Sequence, residues 1–266
     1  MREYFLEVVY RSLPPQEAGL MAGMVWGDRS GFSLELTNSL KDSGLWHLVV
    51  VSGANVMILA RMLVELLAPL IGRKKAIGVM MVMTWGYAGI VGWEMPVVRA
   101  IILMSIYYWA QVLGRKFDVW RSLMLTAILV LVADPEAVGS LSWWLSVVAF
   151  IGVITGKNLN TFWQTIWVGV WVTPLLAVAI GKISWISPLA NVAVLFMVEV
   201  ITVIGLIGTL TGGWLLWAAM PLLRWLLVVA GAAGKAGVVN YQFNWLMVIG
   251  WYSLLFWYLW KNKIKS

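Results

Sequence analysis

Apolar stretches long enough for a bilayer recur along almost this whole chain, and polar groups interrupt several of them. By hydropathy they fall at about 45–71, 76–93, 96–113, 120–133, 141–155, 161–180, 188–211, 213–230 and 245–260. Crossing a hydrocarbon core of roughly 30 Å takes about 20 apolar residues in a helix. In lipid each backbone N–H and C=O must be satisfied internally, which makes such segments helical. With 62% hydrophobic and 12% charged residues, 266 residues could not cover a water-soluble fold. The expected class is all-α, a polytopic integral membrane protein with broken or re-entrant helices. The stretches around Leu123 and Val147 are too short to cross upright alone, so a helical hairpin with shared ends or a partly re-entrant pair is expected there.

Residues 1–44 are the least hydrophobic part. "REYFLEVVYRSL" sets Tyr4, Phe5, Val8 and Val9 near one helical face and charges on the others, the pattern of a helix lying at the membrane interface. Pro14 and Pro15 end it, and no small-residue cleavage site follows, so it does not read as a signal peptide. "AGLMAGMVWGDRSG" is short, Gly-rich and closed by a charged turn; "FSLELTNSLKDSG" reads as an amphipathic helix terminated by Gly44. The chain thus divides into an interfacial segment, 1–44, and a transmembrane domain, 45–266. Trp gathers near span ends, at Trp143, Trp144, Trp251, Trp257 and Trp260, as interfacial anchors do.

Cations in short loops set orientation. With strict alternation Arg73, Lys74, Lys75, Arg115, Lys116, Arg121, Lys157, Lys261, Lys263 and Lys265 share one side, while the other receives Glu94, Asp134 and Glu136, with Lys182 and Lys235 as its main cations. That places the C-terminus in the cytoplasm and residues 1–44 outside. The net charge of +7 is largely such orientation signal and points to an anionic partner only weakly. There is no cysteine and one histidine, which excludes thiolate chemistry and a multi-His metal site within one chain.

Polar residues inside the spans carry the functional readings. In "LWHLVVVSGANVMILARMLVELL", Ser52, Gly53 and Asn55 weaken a helix in a lipid-grade segment. Irregular backbone at that depth survives when buried in protein or facing water, so the readings are a broken helix lining a polar passage or small-residue helix packing. Arg61 and Glu65, spaced i and i+4, can pair. Arg99, just after Pro96, can offer a bidentate fork to a phosphate or reach the interface. Glu199 sits centrally in "LFMVEVITVIG"; a carboxylate there is functional, protonated or paired across helices, and Arg61, Arg99 or Arg224 could be the partner. Asn191, after Ser187 and Pro188, caps a helix or lines a passage. Asp28 and Arg29 in the turn "GDRSG" could order a channel mouth through a mutual network, or belong to a solvated loop. His47 reads as a histidine hydrogen-bonded to a turn.

Four stretches together resemble the transmembrane core of the ComEC-type competence proteins, inner-membrane channels of bacterial DNA uptake. They are "GDRSGFSLELTNSLKDSGLWHLVVVSGANV" (27–56), "MPVVRAIILM" (95–104), "ADPEAVGSLSWWLSVVAFIGVI" (133–154) and "GKISWISPLANVAVLFMVEVI" (181–201). They stand in family order and cover nearly the whole chain from about Gly19. Asn55 departs from the resemblance, because the similar motif carries histidine there. The resemblance implies passage of single-stranded DNA into the cytoplasm during natural transformation, across the bacterial inner membrane. It makes Ser52, Asn55, Arg61, Arg99, Asn191 and Glu199 passage-lining candidates, and Asp28, Arg29, His47 and Gly53 a mouth or structural motif. Partners implied are single-stranded DNA, membrane lipids, and a separate DNA receptor, cytoplasmic motor and nuclease, with a homo-oligomer left open. The family's OB-like and metallo-β-lactamase-like modules have no counterpart in this sequence.

Two other classes compete. Ser52 and His47 are five residues apart with no acid to orient the histidine, and Asp and Glu are scattered where a nuclease would cluster them around metal ions. No catalytic residue, cofactor or metal is therefore expected. A small-molecule or ion transporter built around Glu199, or a non-catalytic scaffold, is the alternative; transporters also use broken helices, but the motifs show no inverted repeat.

Overall fold

The computed structural model describes residues 1–180, 182–236, 238–240 and 244–263; Gly181 and Lys265, both used above, lie outside them. The chain is an all-α membrane protein. Among the described residues five helices are long and apolar enough to cross a bilayer: α5 (Gly53–Ile71), α7 (Met95–Val112), α10 (Thr161–Ile180), α11 (Ser187–Leu210) and the run from Trp214 that continues into α12 (Met220–Ala236). Between and around them lie α1 (Arg2–Ser12), α2 (Pro15–Trp26), α3 (Leu34–Asp42), α4 (Trp46–Val49), α6 (Arg73–Val91), α8 (Val119–Ala133), α9 (Leu141–Thr155) and α13 (Trp245–Lys263). Three-residue strands, β1 (Lys182–Ser184) and β2 (Val238–Asn240), pair antiparallel and tie the start of α11 to the end of α12.

The first expected span is not one helix. Its backbone is extended at Val50 and Ser52, and it divides into the one-turn α4 and the 19-residue α5. Gly44 ends α3 as read, with φ +76°; its N–H reaches the Lys41 carbonyl, and the Leu45 N–H reaches Leu40. α8 and α9, 15 residues each, are joined by a 3-10 turn, and each packs on α7.

α2 is the element that hydropathy understated. Glu17 and every residue from Ala18 to Trp26 are buried, and α2 packs against α1, α4, α11 and α12. Its glycines permit this. A Cβ on Gly19 would lie 2.8 Å from the Gly31 carbonyl oxygen, and one on Gly23 would lie 2.8 Å from that of Val49. The main hydrophobic cluster draws on both sides of residue 44, with Leu20, Met21 and Met24 beside Val56, Met80, Ile101, Ile201 and Leu223. Phe5, Val8 and Val9 of α1 are buried, but Tyr4, expected on the same face, is 58% exposed. α9, α10 and α13 form a lighter second layer around Val148, Leu175 and Val248.

That layer carries its own backbone repair. Pro174 inside α10 has no N–H, so the Val170 carbonyl loses its helical donor. The Trp251 indole of α13 donates to that carbonyl at 3.1 Å, Tyr252 Oη donates to the Trp171 carbonyl at 2.7 Å, and Thr173 Oγ1 donates to Gly169 at 2.7 Å.

Candidate functional site

The break at 50–52 brings the start of α5 against the start of α7. Ser52 is the N-cap, yet its hydroxyl makes no capping bond. A Cβ on Gly53 would stand 3.0 Å from Ala100 Cβ and 3.6 Å from the Pro96 carbonyl oxygen, so the glycine sets how closely the two helices meet. One turn on, Asn55 is 1% exposed. Its Nδ2 donates to the Met24 carbonyl at 2.6 Å, and its Oδ1 accepts from Thr202 Oγ1 at 3.4 Å. The amide therefore bolts α5 to both α2 and α11.

Met24 is one of the carbonyls that the end of α2 leaves without helical donors. Two more are also met by distant side chains: Val25 accepts from Tyr87 Oη at 2.6 Å and Trp26 from Arg2 Nε at 3.3 Å, while the local turn sends the Asp28 N–H to the Ala22 carbonyl at 3.1 Å. The Trp26 indole donates to Thr209 Oγ1 at 3.3 Å. The last three carbonyls of the helix, 24–26, thus each have a side-chain donor, as a medium without water favours.

The turn beyond α2 does form a network, though not between Asp28 and Arg29. Asp28 Oδ2 accepts from Tyr10 Oη and from Ser30 Oγ, both at 2.7 Å. Arg29 reaches away to Glu94, at the start of α7, at 3.0 Å. Partial burial pushes the Asp28 carboxyl up, but the bonds from Ser30 and Tyr10 and the nearby Arg2 charge outweigh it, leaving it below the usual carboxylate range. Burial first, then the bond to Asp28, raises the Tyr10 phenol. His47 lies on α4, the one-turn helix that begins two residues after Gly44.

Arg99 joins the main bundle to the second layer. Its Nη2 donates to the Ser142 carbonyl at 3.1 Å, to Ser142 Oγ at 3.0 Å and to Ser146 Oγ at 2.8 Å, all on α9. Its Nε is buried without a hydrogen-bond partner in the protein. Asn191 Nδ2 bonds Ser187 Oγ within α11 at 3.3 Å, and its Oδ1 is likewise unpaired. Ser187 packs on Gly44, where any side chain would clash.

Arg61, Glu65 and Glu199 form a separate group. Arg61 Nε bonds Glu65 at 2.8 Å, and its Nη1 lies 3.9 Å from Glu199, which chooses among the three partners that sequence allowed. They line an open groove of about 370 Å³ between α5 and α11. Arg224 instead pairs with Glu17 at 3.2 Å, a buried acid on α2 that sequence reading missed. The available signal was an acid three residues after a proline, at the head of an otherwise apolar run. Among the described residues no group of three His, Asp or Glu could hold a metal ion.

The fold brings together stretches distant in sequence. The turn at 27–31 and the break at 52–55 meet the start of α7 through Arg29–Glu94 and Gly53–Ala100. α7 meets α9 through Arg99, and Gly44 meets the start of α11 at Ser187. A sequence family described as "Competence protein" matches residues 24–264. The chain is similar to "Competence protein ComA" of Neisseria gonorrhoeae, 28% identical over 209 residues, which is 72% of this chain and 30% of that protein. It is also similar to "Uncharacterized protein YcaI" of Escherichia coli (strain K12), 24% identical over 170 residues, 58% of this chain and 22% of that one. The chain therefore spans less than a third of either relative. No solved structure matches.

Proposed function

The chain belongs to the Competence protein family, and on that premise we propose that it forms the membrane passage through which single-stranded DNA enters the cytoplasm during natural transformation. The proposed site is the junction of α5, α7 and α9. One observation carries this reading: Arg99, within a span, is held by two serine hydroxyls and a carbonyl while its Nε points to no protein acceptor. A strand with one phosphate per nucleotide needs polar walls and sparse cations, so that contact is favourable enough to enter and weak enough to leave. Arg99 supplies the charge, the Ser142 hydroxyl a neutral donor, and Ser146, whose own O–H goes to the Ser142 carbonyl at 3.0 Å, a fixed acceptor for the guanidinium. Ser52 and Gly53 lie one helix away at the α5 break. Tyr10, Asp28, Arg29 and Glu94 order the mouth.

Asn55 and Asn191 support this junction through packing. The groove of Arg61, Glu65 and Glu199 carries a net charge of about −1 and would repel a polyanion, so the proposed strand path avoids it. In this reading the protein lies in the bacterial inner membrane with the 27–31 turn outside and the Arg73–Lys75 end in the cytoplasm. In it the described helices pass the strand without chemistry of their own, and a receptor, a motor and a nuclease act with them. The test is uptake of labelled DNA by cells carrying Arg99→Ala or Arg99→Lys, with the amount of protein in membranes measured alongside. Uptake should fall at least tenfold in Arg99→Ala at normal protein level. Unchanged uptake there and in a strain lacking the chain would overturn the proposal.

A further inference from the structure

The junction between the end of α7 and the start of α8 holds a second polar feature, away from the α7–α9 seam. α7 stops at Leu113 and Gly114, the latter with φ +64°, and the chain turns through "RKFD" into α8. The turn and the two helices enclose an open cavity of about 270 Å³. Its rim carries Arg115, Lys116 and Arg121 against one acid, Asp118. Asp118 is already engaged, capping the Arg121 N–H at 3.0 Å and lying 3.4 Å from the Arg121 guanidinium. Arg115 and Lys116 make no ion pair among the described residues. The floor is apolar, from Ile106, Ala110 and Leu125. Arg73, the first residue of α6, is held to the same end of α7 by a 2.8 Å bond to Gln111, and Lys74 and Lys75 follow it.

We propose that this cavity binds an anionic phospholipid, its phosphodiester headgroup on Arg115 and Lys116 and its acyl chain along Ile106, Ala110 and Leu125. Charge fits first: the rim is net positive by about two, and each cation near an anionic membrane surface contributes about 1 kcal/mol, close to fivefold in affinity. Depth fits second. A 15-residue helix rises about 22 Å, short of the roughly 30 Å core, so the α8 end lets headgroups settle lower there than beside α11. The floor fits third, since a nucleotide phosphate or free phosphate has no use for an apolar wall reaching into the membrane. Met124 and Ile128 on α8 are 65% and 57% exposed and prolong the wall beside the cavity.

The test uses the purified protein in detergent, with lipid retention read by native mass spectrometry. The probes are phosphatidylglycerol and phosphatidylcholine of identical acyl chains, with inorganic phosphate and a short oligothymidylate as competitors. The protein should retain phosphatidylglycerol over phosphatidylcholine. Arg115→Gln with Lys116→Gln should cut that preference about 25-fold, at an unchanged thermal midpoint. Ala110→Trp, which fills the floor and leaves the charges, should lower phosphatidylglycerol retention without weakening inorganic phosphate binding. Equal retention of the two lipids overturns the proposal. Displacement by oligothymidylate at lower concentration than by phosphatidylglycerol, sensitive to the same double substitution, reassigns the rim to nucleic acid and also overturns it. Indifference to Ala110→Trp removes the acyl part and leaves a headgroup-free phosphate site, which refutes the lipid assignment.

Discussion

Asn55→Leu should destabilise the protein by about 2 kcal/mol, nearly all of it through the Met24 carbonyl. The substitution conserves volume well enough to leave no sizeable cavity, so the loss is polar. Asn55 Nδ2 is 2.6 Å from that carbonyl, a short bond, whereas the Thr202 contact at 3.4 Å is long. A buried acceptor stripped of its donor costs about 1–3 kcal/mol. Polar couplings measured in membrane proteins average nearer 0.6 kcal/mol, because groups there often find another partner. Met24 has little alternative: it lies in the last turn of α2, where helical donors are missing, and Tyr87 and Arg2 are engaged at Val25 and Trp26. The upper part of the range is therefore expected. The assay is reversible unfolding in mixed micelles, comparing Asn55→Leu, Thr202→Val and the double variant. Thr202→Val should cost under about 0.5 kcal/mol, and the double variant should match Asn55→Leu closely. Asn55→His tests the chemistry directly, since an imidazole N–H can serve the same carbonyl, and should recover at least half of the loss. A loss below about 0.5 kcal/mol in Asn55→Leu would refute the view of Asn55 as a bolt on α2.

Three further outcomes follow from the same geometry. Trp251→Phe should cost about 0.5–1 kcal/mol in the wild-type protein and almost nothing in Pro174→Ala, where the new N–H serves Val170; additive effects in this cycle would refute the repair. Asp28, depressed in the folded state, contributes stability that is fully present above its unfolded pKa, near 3.9, and lost as pH falls through the lower folded value. Asp28→Asn should therefore flatten the acid limb of a thermal-midpoint profile, and an unchanged limb would count against the Tyr10–Asp28–Ser30 network. Gly19→Ala drives a methyl to 2.8 Å from a backbone oxygen that no side-chain rotation can relieve, so it should cost about 1–3 kcal/mol in the same unfolding assay, and a neutral result would mean that the 27–31 turn moves freely from α2.

What sequence could and could not reveal follows from the range of each interaction. Hydropathy and local spacing speak for themselves, so the all-α membrane class, the Arg61–Glu65 pair, the Gly44 terminator and the weak point at Ser52–Gly53 were legible. α2 was not, because twelve residues with two glycines carry too little hydrophobicity to mark a span, although close packing by glycine is what places it in the centre. The Asp28–Arg29 network was expected from adjacency, yet neighbouring residues in a turn diverge, and each found a partner from another helix. Tyr10, Tyr87 and Thr202 gave no signal because a single hydroxyl in an apolar helix looks the same whether it bonds its own backbone, as Thr84 does, or another helix. Resemblance filled part of that gap by grouping four stretches that the fold then brings into contact.

The distribution of charge also bears on how a polyanion could pass. Arg61 is fully matched by two acids, Arg29 by Glu94, and Arg224 by Glu17, which leaves their fields short-ranged. Arg99 differs because its partners on α9 are neutral: Ser142 and Ser146 hold the guanidinium in place without cancelling its charge. An acid at either position would quench the field, and an apolar residue would leave the planar group free to snorkel toward the interface. Two hydroxyls do neither: both accept from the guanidinium, and Ser146 donates its own O–H to the Ser142 carbonyl at 3.0 Å, which fixes it in place. In the proposed passage, an oriented cation with neutral support would attract one phosphate at a time and release it to the next. Sequential, weakly held contact is what a strand in motion requires, and a dense row of arginines would trap it instead.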